Sequence, residues 1–167
     1  MIPAIDRRLT GKLALVLALA ASVAVGLFLV FGGKPSGLLQ PDDARLVARG
    51  EAVYRMHCAS CHGRNLEGQP EWQSRDKEGF LPAPPHDESG HTWHHPDTLL
   101  FKITKLGVAE AANLENYKTR MPAFGEILSD ANIIAVLSYI KSRWAEDMRR
   151  RHDELNRVYA LRECPVR

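Results

Sequence analysis

The chain has 167 residues, of which 45% are hydrophobic and 25% are charged, and its formal net charge at neutral pH is +2. This length is enough for one domain of ordinary size with short attachments. The charge is close to neutral and no basic stripe is interleaved with aromatic residues, so the sequence excludes nucleic acid as an expected partner.

The N-terminal region combines a short basic stretch with a long apolar one. Residues 1–12 carry three basic side chains and one acidic side chain, and residues 13–31 carry no charge. Nineteen residues at helical rise span most of the hydrocarbon core of a bilayer, and leading positive charges favour a cytoplasmic N-terminus. We therefore expect a transmembrane anchor over residues 13–31. A cleaved signal peptide is the alternative, although its apolar part is usually shorter.

Residues 32–40 begin with Gly-Gly-Lys-Pro-Ser-Gly, a composition typical of a flexible linker. A first helix is expected to begin near Pro41, because proline and the two acids after it suit the first turn of a helix. Val47, Gly50 and Tyr54 would then share one helix face. A glycine inside a helix costs about 1 kcal/mol relative to alanine, so Gly50 either permits a close contact or is a tolerated surface residue.

The stretch HCASCH contains two cysteines three positions apart, with a histidine directly after the second. This spacing is typical of a c-type haem attachment site. Cys58 and Cys61 on one short turn can each form a thioether with one porphyrin, and His62 can bind the iron as a neutral imidazole. A zinc site would require two more ligands at matched spacing, and a thiol redox pair usually accompanies a βαβ pattern. Cys164 is either free or paired between chains.

Residues 64–92 are rich in glycine, proline and polar side chains, which predicts irregular backbone. We expect Trp72, Phe80 and Leu81 to pack on or near a haem. Four histidines fall within ten residues at the end of this region and just after it, namely His86, His91, His94 and His95. They could form a second metal site, for example for copper, which imidazole suits. No regular spacing directs the four rings to one point, so we favour a solvated loop with one histidine or Trp93 near a haem propionate.

Three helices are predicted in the rest of the chain. Asp97 would cap a helix that runs to Leu106, and Ser129 would cap a second one. The second helix carries an apolar stripe at helical spacing, formed by Ile133, Val136, Leu137, Ile140 and Trp144. Residues 145–167 would form a charged helical tail that is solvated, lies along the domain, docks a partner or contacts anionic headgroups.

Met121, which Pro122 follows, stands shortly before the cap of the second of these helices. A methionine thioether is a suitable sixth ligand for haem iron, and it raises the reduction potential relative to a bis-histidine site. Met56 is too close to the attachment turn for this role, and Met148 lies in the charged tail. Since an isolated methionine is more often core filler, that interpretation of Met121 remains the alternative.

Two stretches resemble the class I c-type cytochromes. GEAVYRMHCASCHG is similar to the first helix of that family running into its haem motif, and MPAFGEILSDANIIAVLSYIKSRW is similar to its methionine-ligand loop and last helix. The likeness covers residues 41–144 and is close to small, membrane-anchored bacterial members with one haem. It implies that Gly50 and Tyr54 meet the last helix. It also implies that a proline carbonyl, of Pro82 or Pro84, accepts the second ring proton of His62.

We therefore expect an all-α protein with the class I cytochrome c fold around one covalently bound haem c, an N-terminal transmembrane helix and a C-terminal helical extension. The expected segments are 1–12 in the cytoplasm, the anchor 13–31, the linker 32–40, the cytochrome c domain 41–144 and the tail 145–167. The haem domain would lie in the periplasm, tethered to a bacterial inner membrane by a single pass.

The expected function is electron transfer rather than catalysis, because His62 and Met121 would occupy both axial positions of the iron. The resemblance implies redox protein partners, such as a quinol-oxidising complex or periplasmic dehydrogenase upstream and a terminal oxidase or reductase downstream. One alternative is a haem enzyme or gas sensor with an open or labile sixth position. The other is a metal-binding module that uses the histidines from His86 to His95.

Overall fold

The computed structural model describes residues 37–163, and within that range it contains helices and no strand. The helices are α1 (Ala44–His57), α2 (Ala59–His62), α3 (Asp97–Leu106), α4 (Val108–Ala111), α5 (Asp130–Ser142) and α6 (Glu146–Glu163), and a 3₁₀ turn covers Thr92–His94. The all-α prediction is confirmed for these residues. The predicted anchor over residues 13–31 lies outside the described residues, as does Cys164. None of the helices formed by residues 37–163 has the length and apolar character that a bilayer crossing requires.

Helix α1 begins three residues later than Pro41, because Asp43 supplies its cap. The Asp43 carboxylate accepts hydrogen bonds from the backbone N–H groups of Arg45 and Leu46, at 2.9 and 3.0 Å. These bonds satisfy two of the four N–H groups that have no partner inside a helix.

Helices α1 and α5 cross in close contact at Gly50. A Cβ atom on Gly50 would lie 2.0 Å from the carbonyl oxygen of Ala135, so no larger residue fits without moving one of the helices. One turn later, the buried ring of Tyr54 packs against Tyr139 with a centroid separation of 5.4 Å. The expectation that Gly50 and Tyr54 meet the last helix of the domain is confirmed, and the surface-glycine alternative is wrong.

The apolar stripe of α5 lies in the core, as the sequence predicted. Ile133, Val136, Leu137 and Ile140 on α5 are buried, as is Trp144, which lies two residues beyond the end of the helix. Ser129 caps α5 as expected, since its hydroxyl accepts a hydrogen bond from the N–H of Asn132. The predicted cap of α3 is wrong, because Pro96 occupies the cap position and Asp97 is the first helical residue.

The Asp97 carboxylate is buried and binds other segments of the chain. One of its oxygens accepts a hydrogen bond from the backbone N–H of Leu39 at 3.0 Å, and Ser138 accepts one from the N–H of Gln40 at 2.9 Å. The Leu39 side chain is 2% exposed. Residues 37–40 are thus held against the domain, whereas the sequence had assigned them to a flexible linker over residues 32–40.

Helix α6 matches the predicted tail helix, but it is joined to the domain by a polar cluster that includes the buried residues Asp97, Lys141 and His152. We call this cluster the tail network; its members are Asp97, Lys141, His152, Asp153 and Asn156. Lys141, on α5 and 1% exposed, forms an ion pair with the Asp153 carboxylate of α6. Asn156 donates to Asp97 at 3.0 Å, and His152 Nε2 donates to the carbonyl of His95 at 2.8 Å. The tail is therefore part of the folded domain and not a solvated extension.

Candidate haem site

The two cysteines and His62 lie on a single helical turn. Cys58 separates α1 from α2, and its carbonyl accepts hydrogen bonds from the N–H groups of Cys61 and His62 at 3.1 and 2.9 Å. Within the described residues both cysteines are free thiols, Cys58 half-buried and Cys61 exposed. This turn brings together the three residues that the sequence motif predicted as the attachment site.

The thiol of Cys58 is not activated for redox chemistry. Burial, reinforced by the neighbouring Cys61, raises the pKa of Cys58 to about 11. Catalytic dithiols have one cysteine with a lowered pKa, because the thiolate is the nucleophile. The raised pKa of Cys58 therefore gives no support to the thiol redox alternative.

His62 is buried, and one of its ring nitrogens has a fixed partner. Its Nδ1 lies 2.8 Å from the carbonyl oxygen of Pro84, and its side chain is 7% exposed. Because a carbonyl can only accept, Nδ1 carries the proton and Nε2 keeps a lone pair for a metal. Burial lowers the pKa of His62, partly opposed by the bond to Pro84, and this favours the neutral ring. The choice between Pro82 and Pro84 is settled in favour of Pro84.

Pro84 reaches His62 because two loop segments run side by side. The N–H of Gln69 donates to the carbonyl of Ala83 at 2.9 Å, and the N–H of His86 donates to the carbonyl of Leu66 at 2.8 Å. Gly68 has a φ of +69°, and a Cβ atom there would lie 2.5 Å from the nitrogen of Pro85. Glycine at this position permits the close approach of the two segments, a role that its placement in a turn-rich stretch did not reveal.

Tyr54 is hydrogen-bonded to the same turn. Its hydroxyl donates to the carbonyl oxygens of His62 and Gly63, at 3.2 and 2.9 Å. Burial is the main cause that raises the pKa of Tyr54, so the hydroxyl remains a donor. The sequence identified Tyr54 as a packing aromatic, but it did not show this hydrogen bond to the C-terminal end of α2.

His86 is placed directly against His62. The two imidazole rings are stacked, with centroids 4.0 Å apart and an interplanar angle of 21°. His86 Nδ1 lies 2.7 Å from the hydroxyl of Thr92, and the His86 carbonyl accepts a hydrogen bond from the indole N–H of Trp144 at 2.7 Å. Burial lowers the pKa of His86 well below its usual value, so the ring is neutral.

The other three histidines of the cluster do not form a metal site with His86. His91 stacks on Trp72 with a centroid separation of 5.2 Å, and His94 stacks on Trp93 at 3.7 Å. Across residues 37–163, no group of three or more histidine, cysteine or acidic side chains is placed to hold a metal ion. The second metal site considered for the cluster from His86 to His95 is therefore not formed.

Met121 lies in a loop that is tied to the end of α3. Its side chain is half-buried and packs against the core, and its N–H donates to the Thr119 hydroxyl at 3.0 Å. Three and four residues further on, the N–H groups of Phe124 and Gly125 donate to the carbonyls of Thr104 and Lys105. The loop is well fixed, and iron binding by Met121 stays a prediction.

The predicted aromatic packing around the haem is also untested. Trp72, Phe80 and Leu81 are half-buried. The Phe80 ring lies beneath the guanidinium of Arg120 at 4.1 Å. Arg120 in turn forms ion pairs with Asp76 and Glu78, so this loop is held by charged as well as aromatic contacts.

Trp93 carries a buried donor that lacks an acceptor. Its indole N–H is inaccessible to solvent and forms no hydrogen bond with any described residue. Leaving such a group unsatisfied costs about 1–3 kcal/mol, and buried donors normally have a partner. A haem propionate is an acceptor of the right chemistry. This donor, two free thiols and the imidazole of His62 together fit the needs of a covalently bound haem.

Comparison with protein families gives one match. The family model described as Cytochrome c matches residues 47–144, which is more than half of the chain. A search of curated proteins and a search of solved structures each found no match. The matched span contains Cys58, Cys61, His62 and Met121 and ends at Trp144, so helix α6 lies beyond it.

Proposed function

Since the chain belongs to the cytochrome c family, we propose that it is a membrane-tethered electron carrier whose haem iron is bound by His62 and Met121. Cytochrome c domains bind a covalently attached haem c with its iron, and they generally serve as electron-transfer modules and not as enzymes. The finer points of the proposal concern the ligands, the tether and the partners.

The observation that carries the proposal is the buried imidazole of His62 with Nδ1 held by Pro84. When bound, the haem supplies a one-electron iron couple. Pro84 and Tyr54 fix the position of His62, so this ligand moves little when the charge on the iron changes. Met121 would supply a soft thioether that favours ferrous iron and fills the position where a substrate or gas would otherwise bind.

Covalent attachment is tested by denaturing electrophoresis with a peroxidase stain for haem. The wild-type chain should retain haem on the gel. Cys58→Ser with Cys61→Ser should lose the signal, because both thioether bonds are removed, and should lose much of its stability, because the core packs around the porphyrin. Cys164→Ser is the matched control and should keep the stain. A double variant that retains covalent haem would sink the proposal.

The tether is proposed from the uncharged segment 13–31 and the basic residues before it. Such a segment suits a single pass across a bacterial inner membrane with the haem domain in the periplasm. The mature protein should then fractionate with membranes and keep its N-terminus. A chain that begins at Ser36 behind a cleavable signal should be soluble and still carry haem. A native chain that begins within or just after residues 13–31 would establish the signal-peptide alternative.

The proposed partners are redox proteins that work at the same membrane. Donors would be a quinol-oxidising complex or a periplasmic dehydrogenase, and acceptors would be a terminal oxidase or reductase. Identification of the proteins that copurify from solubilised membranes tests this point. Reproducible recovery of a complex that carries its own redox cofactors is expected, whereas recovery of only hydrolases or transporters would contradict the assignment.

A further inference from the structure

We propose that His86 is a positioning residue for the iron ligand His62, and that its ring fixes the plane of the His62 imidazole relative to the porphyrin. The inference rests on the proposed function, since it concerns the orientation of an iron ligand. It gives a role to the member of the histidine cluster that stacks on His62.

The contact between the two rings is a face contact. Their centroids are 4.0 Å apart and their planes differ by 21°, which corresponds to stacking. The hydrogen bond from His62 Nδ1 to Pro84 holds one edge of the ring. A bond at one edge leaves the plane free to rock about that edge, but a second ring against the face blocks this motion. Pro84 and His86 therefore restrict different movements of the same ligand.

His86 can act in this way because its own position is fixed on several sides. Its backbone N–H donates to the carbonyl of Leu66 at 2.8 Å, and its carbonyl accepts from Trp144 at 2.7 Å. The Thr92 hydroxyl forms a hydrogen bond with His86 Nδ1 at 2.7 Å and lies 3.4 Å from the carbonyl of Pro85. The ring of His86 is thus held in one orientation, with the neutral Thr92 hydroxyl as its hydrogen-bonding partner.

The orientation of an axial imidazole matters because it determines how its orbitals overlap with those of the iron. Groups around a ligand that fix its rotation tune the reduction potential and the magnetic anisotropy of the iron. A carrier with one fixed ligand plane should give one well-defined ferric spectrum. A carrier whose ligand rocks should give a broadened or shifted one.

The test compares His86→Phe, His86→Leu and the control His91→Leu in the haem-bound, full-length protein. The readouts are the g-values of ferric electron paramagnetic resonance and the midpoint reduction potential. Phe keeps an aromatic face against His62 but loses the bond to Thr92, so the g-values should shift less than in His86→Leu. Leu removes the stack, so the g-values should shift or broaden and the potential should change by more than in the control. His91, which stacks on Trp72 and is exposed, should leave both readouts unchanged.

Thr92→Val provides a second route if a His86 variant fails to bind haem. It keeps the His86 ring but removes the hydroxyl that orients it, so a smaller change in the same g-values is expected. Wild-type g-values in both His86→Leu and Thr92→Val would overturn the positioning role. A wild-type protein that lacks sulfur–iron ligation would instead contradict the proposed Met121 ligand, and this separates the two failures.

Discussion

Buried polar groups are satisfied to different extents in the tail network and at Trp93. In the tail network, Asp97 accepts from Leu39 and Asn156, and Lys141 pairs with Asp153, so the chain supplies the partners itself. Elsewhere in the domain, the described residues leave the Trp93 indole N–H without an acceptor, and Cys58 and Cys61 carry free thiols. A satisfied network explains how a fold is held. An unsatisfied buried donor indicates a group that the chain does not contain.

Among the substitutions that test this comparison, Asp97→Ala is expected to cause the largest loss of stability. The substitution leaves Lys141 with a weaker set of counter-charges in a buried position and removes the acceptor for Leu39. Breaking a buried charged network by deletion of one partner costs about 3–5 kcal/mol. Chemical unfolding of the haem-bound variant should show this loss, while the absorption spectrum of the haem stays as in wild type.

Glu154→Ala is the matched control for Asp97→Ala. Glu154 lies on α6 and pairs with Arg157, but both side chains are exposed. Exposed pairs of this kind contribute little to stability, so the control should unfold close to the wild-type midpoint. An Asp97 variant that unfolds together with the Glu154 control would show that the tail network does not hold α6.

Trp93→Phe is expected to change the free energy of unfolding by less, and the sign of the change distinguishes two cases. If the indole N–H meets a haem propionate, its removal deletes a hydrogen bond to a charged group and lowers the free energy of unfolding by about 2 kcal/mol. If the donor has no partner, removal of an unsatisfied buried group should be neutral or stabilising. Trp72→Phe, at a tryptophan that stacks on His91, serves as the control. A stabilised Trp93 variant would contradict the propionate contact.

The smallest effect is a change in the pH dependence of stability in His152→Gln. Burial lowers the pKa of His152, reinforced by Lys141 and opposed by the His95 carbonyl, Asp97 and Asp153. Because the unfolded chain binds this proton near pH 6.5 while the folded chain resists it, wild-type stability should fall as the pH drops below about 6.5. Glutamine does not titrate, so the variant should lose less stability between neutral and mildly acidic pH. Parallel unfolding curves for both proteins across that range would contradict this assignment.

The attachment turn could be predicted from the sequence because its geometry is local. Cys58, Cys61 and His62 are separated by so few residues that any helical turn brings them together. The choice of Pro84 over Pro82 and the placement of His86 depend on the pairing of residues 66–69 with residues 83–86. Contacts between such distant residues leave no periodic signal in the sequence.

The tail network was missed for a related reason. The sequence of α6 is dominated by charged residues, and charged helices are usually solvated. His152 and Asp153 are buried or paired only because Asp97 and Lys141 on α3 and α5 face the same region. Likewise, Asp97 was predicted as a helix cap because its position suits one, but its carboxylate instead binds the N–H of Leu39.

The sixth ligand decides between an electron carrier and a haem protein with an open iron position. The most direct test is the absorption spectrum of ferric wild type and Met121→Ala, with Met56→Leu as a control at an exposed methionine. We expect a weak red band that reports a sulfur–iron bond in wild type and in the control. That band should be lost in Met121→Ala, together with a lower reduction potential and new binding of carbon monoxide to the ferrous form. A Met121→Ala protein that keeps the red band would show that Met121 is core filler and contradict the proposed ligand set.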